Sequence, residues 1–220
     1  MRRLPLPDGC ESRPGRTSAR LVLTGPVGWL FFSLLLSLCG VAMALPRDEA
    51  VVHGRVSKET SGNTLSINQH TDKAIVEWGG FDIGGGETVS ISQPGRSATL
   101  LNRVTGLGRT TIDGALSANG NVLVLNPAGV VIGSEARINT HGLIVSSLSL
   151  GNSAFLNGDY SFAGAADRGP VTNEGLIEST AGGHIYLIAP NVTHGGTVKA
   201  PEGRAGLYSA TQAYLSEDPD

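Results

Sequence analysis

The sequence is poor in cysteine, aromatic residues and charge. It has two cysteines in 220 residues, 5% aromatic residues and 16% charged residues. Both cysteines, Cys10 and Cys39, lie near the amino terminus, so the rest of the chain has no disulfide and must be held together by packing and backbone pairing. The hydrophobic fraction of 40% is still enough to form a core, which argues against a disordered chain.

Basic charge is scarce beyond residue 44. The formal net charge is −3, and the first 44 residues hold five arginines and two acidic residues. The remainder therefore has 11 basic and 17 acidic residues, a net charge of −6. A mildly acidic body lacks the basic surface that nucleic acids or anionic lipids require, so no nucleic-acid partner is predicted.

Residue groups typical of metal sites and of catalysis are also missing from the sequence. The histidines do not show metal-ligand spacing; they are His53, His70, His141, His184 and His194. Isolated aspartates without a nearby acidic partner do not make the carboxylate pair of a β-helical polysaccharide-active enzyme; they are Asp82, Asp113, Asp159 and Asp167. We therefore predict no catalytic residue, no metal and no cofactor, with such an enzyme as a less favoured alternative.

The amino terminus has the pattern of an export signal. Five arginines precede an apolar run over Leu30–Cys39, which is followed by Ala42-Met43-Ala44. Small residues at Ala42 and Ala44 suit a signal peptidase, so residues 1–44 are predicted to be a signal peptide, with cleavage before Leu45. A membrane anchor is the alternative, but the strongly apolar part is shorter than the ~20 residues of a spanning helix.

Beyond residue 44, short apolar runs alternate with turn residues. Runs such as Val122–Leu125 and His184–Ile188 are separated by glycine, asparagine and proline, and no long helical pattern occurs. The segment 171–177 is repeated 21 residues later at 192–198. A period near 20 residues built from short strands indicates a β-solenoid rather than a flat β-sandwich, and the spacing of leucine-rich repeats is missing.

Several stretches in order resemble a known family. They are 74–84, Leu101–Gly106, Ile112–Gly129 and Gly142–Ser147. The chain resembles the filamentous haemagglutinin-type (haemagglutination activity) amino-terminal domain of two-partner secretion exoproteins. The resemblance implies an all-β fold: a right-handed parallel β-helix with an amino-terminal cap, forming one domain over residues 45–220 with trailing coils from about residue 112.

The resemblance also implies a partner and a site. Such domains are recognised in the periplasm by an outer-membrane transporter of a Gram-negative bacterium, and they fold at the cell surface after export. The family's Asn-Pro-Asn-Gly motif aligns with Asn126, Pro127, Ala128 and Gly129, which reads as a type I turn. Asn102 and Arg103 are further candidates for recognition, although a buried asparagine and a solvated arginine are the simpler interpretation.

The predicted function is therefore secretion targeting for an adhesin-like exoprotein, with host-surface glycans or proteins as further partners. A stand-alone module that binds surface glycans or a matrix is the alternative. Trp78 and Phe81 would serve that alternative as a sugar platform, but we expect them to cap the first coil. Asn191 lies in the only glycosylation sequon, and we expect the chain to be a fragment of a longer exoprotein.

Overall fold

The computed structural model describes residues 44–216, which form short β-strands and one short helix. In chain order the strands are β1 (Ala50–His53), β2 (Val56–Ser61), β3 (Thr64–Gln69), β4 (Lys73–Trp78), β5 (Thr88–Ser92), β6 (Thr99–Val104), β7 (Thr110–Ile112), β8 (Ala115–Ala118), β9 (Asn121–Leu125), β10 (Val130–Ile132), β11 (Arg137–Thr140), β12 (Gly142–Ser146), β13 (Ser149–Leu150), β14 (Tyr160–Ala163), β15 (Val171–Asn173), β16 (Leu176–Ser179), β17 (Ile185–Ala189), β18 (Val192–His194), β19 (Thr197–Lys199), β20 (Ala205–Ser209) and β21 (Gln212–Leu215). The helix is α1 (Asn152–Asn157). Apart from Ala44, the predicted signal peptide lies outside the described residues.

The strands stack as the coils of a parallel β-helix. The first sheet has the order β1-β4-β6-β9-β12-β17-β20, the second β18-β15-β10-β7 and the third β19-β16-β11-β8-β5-β3-β2. Along the chain, successive strands belong in turn to the third, the first and the second sheet. Strands β8, β9 and β10 therefore make one coil, and β5, β6 and β7 make the coil before it. The predicted parallel solenoid is confirmed, and its parallel pairing already begins at β3, well before residue 112.

The repeat seen in the sequence corresponds to the stacking of neighbouring coils. Val171 pairs with Val192, which is an offset of 21 residues. The offset falls to 20 in the first sheet, where Ala189 pairs with Ser209. The path from Lys199 to Ala205 is therefore one residue shorter than the path between their paired residues, Glu178 and Ile185.

Columns of aliphatic side chains fill the interior of the solenoid. Leu100 pairs with Val122, Val122 with Leu143, and Leu143 with Ile185 across four consecutive strands of the first sheet. All four side chains are buried, with at most 1% of their surface exposed. Because each aliphatic side chain gains about 1.5–3 kcal/mol on burial, such columns are the main favourable term in the stability of the coils.

A second hydrophobic cluster lies on the outer face of the first sheet. After β12 the chain leaves the solenoid, forms β13, α1 and β14, and returns at β15; β14 pairs with β21 in a separate antiparallel sheet. Phe155 and Phe162 of this excursion pack against Ile75, Leu101 and Leu123 of the first sheet. No helix among residues 44–216 is long and apolar enough to span a membrane.

Lys73 ties the excursion to the solenoid. Its Nζ donates hydrogen bonds to the carbonyl oxygens of Phe155 (3.1 Å) and Leu156 (2.8 Å) in the last turn of α1. A cation at that end satisfies carbonyl groups that have no partner within the helix, and it opposes the helix dipole. The helix then ends at Gly158, which has a positive φ of 80°.

Antiparallel strands form the amino-terminal cap of the solenoid. β1 pairs antiparallel with β4, and β2 pairs antiparallel with β3. Trp78 and Phe81 are buried in the first coil, with ring centroids 5.6 Å apart in an edge-to-face arrangement. A sugar platform on these two rings is therefore wrong, because neither ring reaches solvent.

The Glu87 carboxylate connects two backbone segments at the amino-terminal cap. It is 5% exposed and accepts hydrogen bonds from the backbone N–H groups of Gly84 (2.7 Å) and Ala44 (2.8 Å). Glu87 thus joins the turn before β5 to the segment that enters the cap.

We expect Glu87→Ala to lower the free energy of unfolding by about 1–3 kcal/mol, because the N–H of Gly84 loses its acceptor whether or not Ala44 has been cleaved from the chain. Chemical denaturation followed by circular dichroism measures this change. Glu135→Ala is the matched control, since Glu135 is an exposed glutamate in a neighbouring turn. Equal stability of the two variants would contradict the assignment.

Candidate functional site

The candidate site is the turn that connects β9 to β10. The carbonyl of Asn126 accepts a hydrogen bond from the N–H of Gly129 at 2.9 Å, which closes a four-residue turn. The Asn126 Oδ1 also accepts from the N–H of Ala128 at 2.9 Å, an Asx-type bond that stabilises the same turn. Asparagine first, proline second and glycine fourth are the residues that this turn favours.

The next coil holds the turn from the other side. The Pro127 carbonyl accepts a hydrogen bond from the N–H of Gly169 at 3.0 Å. Gly129 has φ +102°, and a Cβ at this position would come within 2.6 Å of the Pro170 carbonyl oxygen. Glycine is therefore required at this position both by the backbone conformation and by the close approach of the next coil.

The Asn126 side-chain amide points into the molecule. Its Nδ2 donates to the Gly108 carbonyl and to Thr110 Oγ1, each at 3.0 Å. The Asn126 side chain is fully buried, as is Thr110, whereas Pro127 and Ala128 are partly exposed. Asn126 cannot itself touch another protein, so any role in recognition must act through the residues that it holds.

Asn102 occupies an inward position of β6, within a column that contains Val76 and Val124. Its Oδ1 accepts a hydrogen bond from Trp78 Nε1 (3.0 Å), and its Nδ2 donates to the Leu123 carbonyl (3.2 Å). The polar group is buried but has partners on both sides, which avoids the cost of an unsatisfied amide. Asn102 therefore fixes the orientation of the Trp78 indole within the first coil.

Arg103 points outward from the same strand and contacts the excursion. It donates to the Leu150 carbonyl and to Asn152 Oδ1, both at 2.7 Å, and it pairs with Glu77 at 3.3 Å. The Arg103 side chain is only 20% exposed. The expectation of a solvated arginine is wrong, because the outer face of β6 is covered by the segment that contains β13 and α1.

The structure places the candidate residues on or beside two neighbouring strands, but in three different environments. Asn102 faces the core, Arg103 faces the excursion, and Asn126 lies at the corner after β9. Ala44 and Leu45 precede the first strand of the cap, where the Ala44 N–H bonds to Glu87, and Ala42 lies outside the described residues. Sequence reasoning missed Glu87 and Lys73. Each is a charged residue next to an apolar run, and nothing else in the sequence indicates its structural role.

Metal binding finds no support in the described part of the chain. Among residues 44–216, no three histidine, cysteine, aspartate or glutamate side chains group closely enough to hold a metal ion. The corner after β9 presents amides, a hydroxyl and backbone groups, which suits a structural role rather than acid–base chemistry.

Comparison with known proteins defines the class of this chain. A crystal structure of the HMW1 secretion domain from Haemophilus influenzae matches with a TM-score of 0.75 and 30% sequence identity, over 78% of this chain and 46% of that one. This similarity and the capped solenoid define a β-helical secretion domain. The family model described as the TPS secretion domain matches residues 42–215, so the chain belongs to the TPS secretion domain family.

Two curated relatives carry the same domain within longer proteins. A Heme/hemopexin-binding protein of Haemophilus influenzae is 36% identical over 149 residues, which are 65% of this chain and 16% of the relative. The protein of that name from strain KW20 / Rd is 39% identical over 109 residues, which are 50% of this chain and 12% of the relative. The chain thus spans less than a fifth of either relative, and it is the secretion-targeting domain of a two-partner exoprotein.

We expect Asn126→Ala to lower the free energy of unfolding by about 1–3 kcal/mol, because Thr110 and the Gly108 carbonyl lose a buried donor. Ala128→Asn, which restores the family's residue at a partly exposed position, should change it by no more than about 0.5 kcal/mol. Urea denaturation of the two variants beside the wild-type chain measures both effects. The assignment is contradicted if Ala128→Asn proves the more destabilising of the two.

Proposed function

We propose that this chain directs a filamentous haemagglutinin-type adhesin out of a Gram-negative cell through an outer-membrane two-partner transporter. The family match over residues 42–215 carries the proposal. In this scheme the periplasmic domains of the transporter recognise the chain, which folds at the cell surface. A solenoid suits that route, because its coils contact only their neighbours and can fold one after another from the cap.

We also propose that residues 1–44 are removed during export and that the mature domain begins at Leu45. The chain then acts by binding its transporter and has no catalytic activity. This role is supported by the family and by a corner built from structural hydrogen bonds.

Secretion from a Gram-negative host, with and without the cognate transporter, is the direct test. We expect the chain to reach the medium only when the transporter is present, with Leu45 as its first residue by amino-terminal sequencing. Asn126→Ala should reduce release while total expression stays the same, whereas Ala128→Asn should leave release unchanged. Retention of the wild-type chain in the periplasm with the transporter present would overturn the proposal.

A groove on the outer face of the first sheet favours a second function, the binding of surface glycans. It has a volume of about 780 Å³ and lies between the first sheet and the strands β14 and β21. Four glycines line it: Gly182 is exposed, whereas Gly142, Gly183 and Gly203 pack closely against neighbouring coils. The rings of His184 and Tyr186 lie side by side in the groove, with centroids 6.1 Å apart, and aromatic faces of this kind can pack against a sugar ring.

The groove is basic although the body of the chain is acidic. Arg96, His141, His184 and Arg204 line it, and Glu202 is the one acidic residue in the lining. Burial, together with the charges of Arg96 and His184, lowers the pKa of His141. A carbohydrate that carries carboxylate or sulfate groups therefore fits the groove better than a neutral one.

An anionic ligand should bind more tightly as the pH falls. The pKa of free His141 is depressed, so its imidazole is neutral near pH 7, and a bound anion would raise that pKa by favouring the charged form. We expect the affinity for a sulfated oligosaccharide to increase between pH 7.5 and about pH 5.5, as measured by isothermal calorimetry.

Arg96→Gln should weaken this binding, and Arg137→Gln is the matched control, because Arg137 is an exposed arginine of β11 outside the groove. Hemin serves as a competing probe, since the curated relatives are named for haem. Equal binding by both variants, or binding that does not change with pH, would contradict the glycan site.

A further inference from the structure

One loop presents an apolar side chain fully to solvent. The segment Thr105–Arg109 connects β6 to β7, and its Leu107 is 99% exposed. The other exposed large apolar residues of the described chain lie between 42% and 68%. Burial of a leucine side chain contributes about 1.5–3 kcal/mol of favourable free energy. Leu107 makes no such contribution to the stability of the fold, because it is fully exposed.

Exposure alone does not mark a binding site, because single apolar residues are common on protein surfaces. The loop is distinguished by how firmly it is held. At its start, the backbone N–H and the Oγ1 of Thr105 both donate to the Trp78 carbonyl, at 2.8 and 3.1 Å. At its end, the N–H of Thr110 donates to the Gly129 carbonyl at 3.0 Å.

The middle of the loop is fixed as well. The Gly108 carbonyl accepts the hydrogen bond from Asn126 Nδ2 at 3.0 Å. Gly106 packs directly against the cap, because a Cβ on it would lie 2.0 Å from the Gly79 carbonyl oxygen. Leu107 therefore projects from an anchored backbone, and a partner that buries it need not first order the loop.

The loop also links the buried motif to the surface. The Asn126 side chain is inaccessible, yet its amide contacts the backbone of the residue that follows Leu107. The same side chain holds the turn through Ala128. Asn126 can therefore influence the binding of a partner by positioning this loop, although Asn126 itself does not contact the partner.

We propose that Leu107 is a direct contact for the outer-membrane transporter and that Asn126 is the positioning residue for it. The partner surface would be an apolar pocket in the periplasmic part of the transporter. Arg109 is exposed beside Leu107, so an acidic rim on that pocket would complement the loop. This inference rests on the proposed function and names the surface through which recognition occurs.

Binding of the purified chain to the isolated periplasmic domains of the transporter tests the inference. We expect Leu107→Ser to weaken binding about tenfold or more, as truncation of a central apolar anchor does, and to reduce secretion. The free energy of unfolding should stay unchanged, because the side chain touches solvent only. Leu107→Met should keep most of the affinity, since it retains the apolar volume.

Val52→Ser is the matched control, because Val52 is a partly exposed apolar residue on the edge strand β1. It should bind and be secreted like the wild-type chain. Asn126→Ala should weaken binding because the loop is held less firmly, and hydrogen exchange should rise at Thr110, whose N–H donates to the Gly129 carbonyl and whose side chain loses the Asn126 amide.

Two results would overturn the inference, and they can be told apart. Wild-type binding by Leu107→Ser, with secretion still dependent on the transporter, would exclude this loop and leave the proposed function intact. Failure of the wild-type chain to bind or use the transporter would overturn the proposed function and the inference with it.

Discussion

Hydrogen bonding between successive coils, about 4.8 Å apart, is the constraint on which the rest of this structure depends. Because neighbouring strands are parallel and in register, each residue stacks on the equivalent residue of the next coil, as Leu100, Val122 and Leu143 do. Aliphatic columns follow directly, and a buried amide such as that of Asn102 or Asn126 needs partners within its own coil or a neighbouring one.

Asn102 and Asn126 meet that requirement in different ways. Asn102 bonds to the Trp78 indole in the coil before its own and to the Leu123 carbonyl in the coil after it, so it links three successive coils. Asn126 bonds to its own turn and to the loop before β7. Each asparagine orders one neighbouring feature, and both are fully buried. Their importance for the molecule therefore lies in what they position, since neither presents a surface to a partner.

The packed interior leaves only the outside of the solenoid for recognition. Within residues 44–216, three features interrupt its regular surface: the excursion held by Lys73 and Arg103, the basic groove beside it, and the loop that carries Leu107. The loop lies near the cap, where folding of a solenoid from its amino terminus would begin. A transporter contact near the cap would keep the first coils close to the exit while later coils are still unfolded.

The amino-acid sequence by itself determined the solenoid and the turn after β9. The 21-residue repeat reports the coil length, and Asn126, Pro127 and Gly129 have backbone preferences that specify a turn wherever they lie. The partners of Arg103, Glu87 and the Asn126 amide were decided only by the tertiary structure. The contacts of Asn126 with Thr110, of Glu87 with Ala44 and of Arg103 with Asn152 join residues 16 to 49 positions apart. Local periodicity carries no information about which atoms the coils and the excursion bring together across such distances.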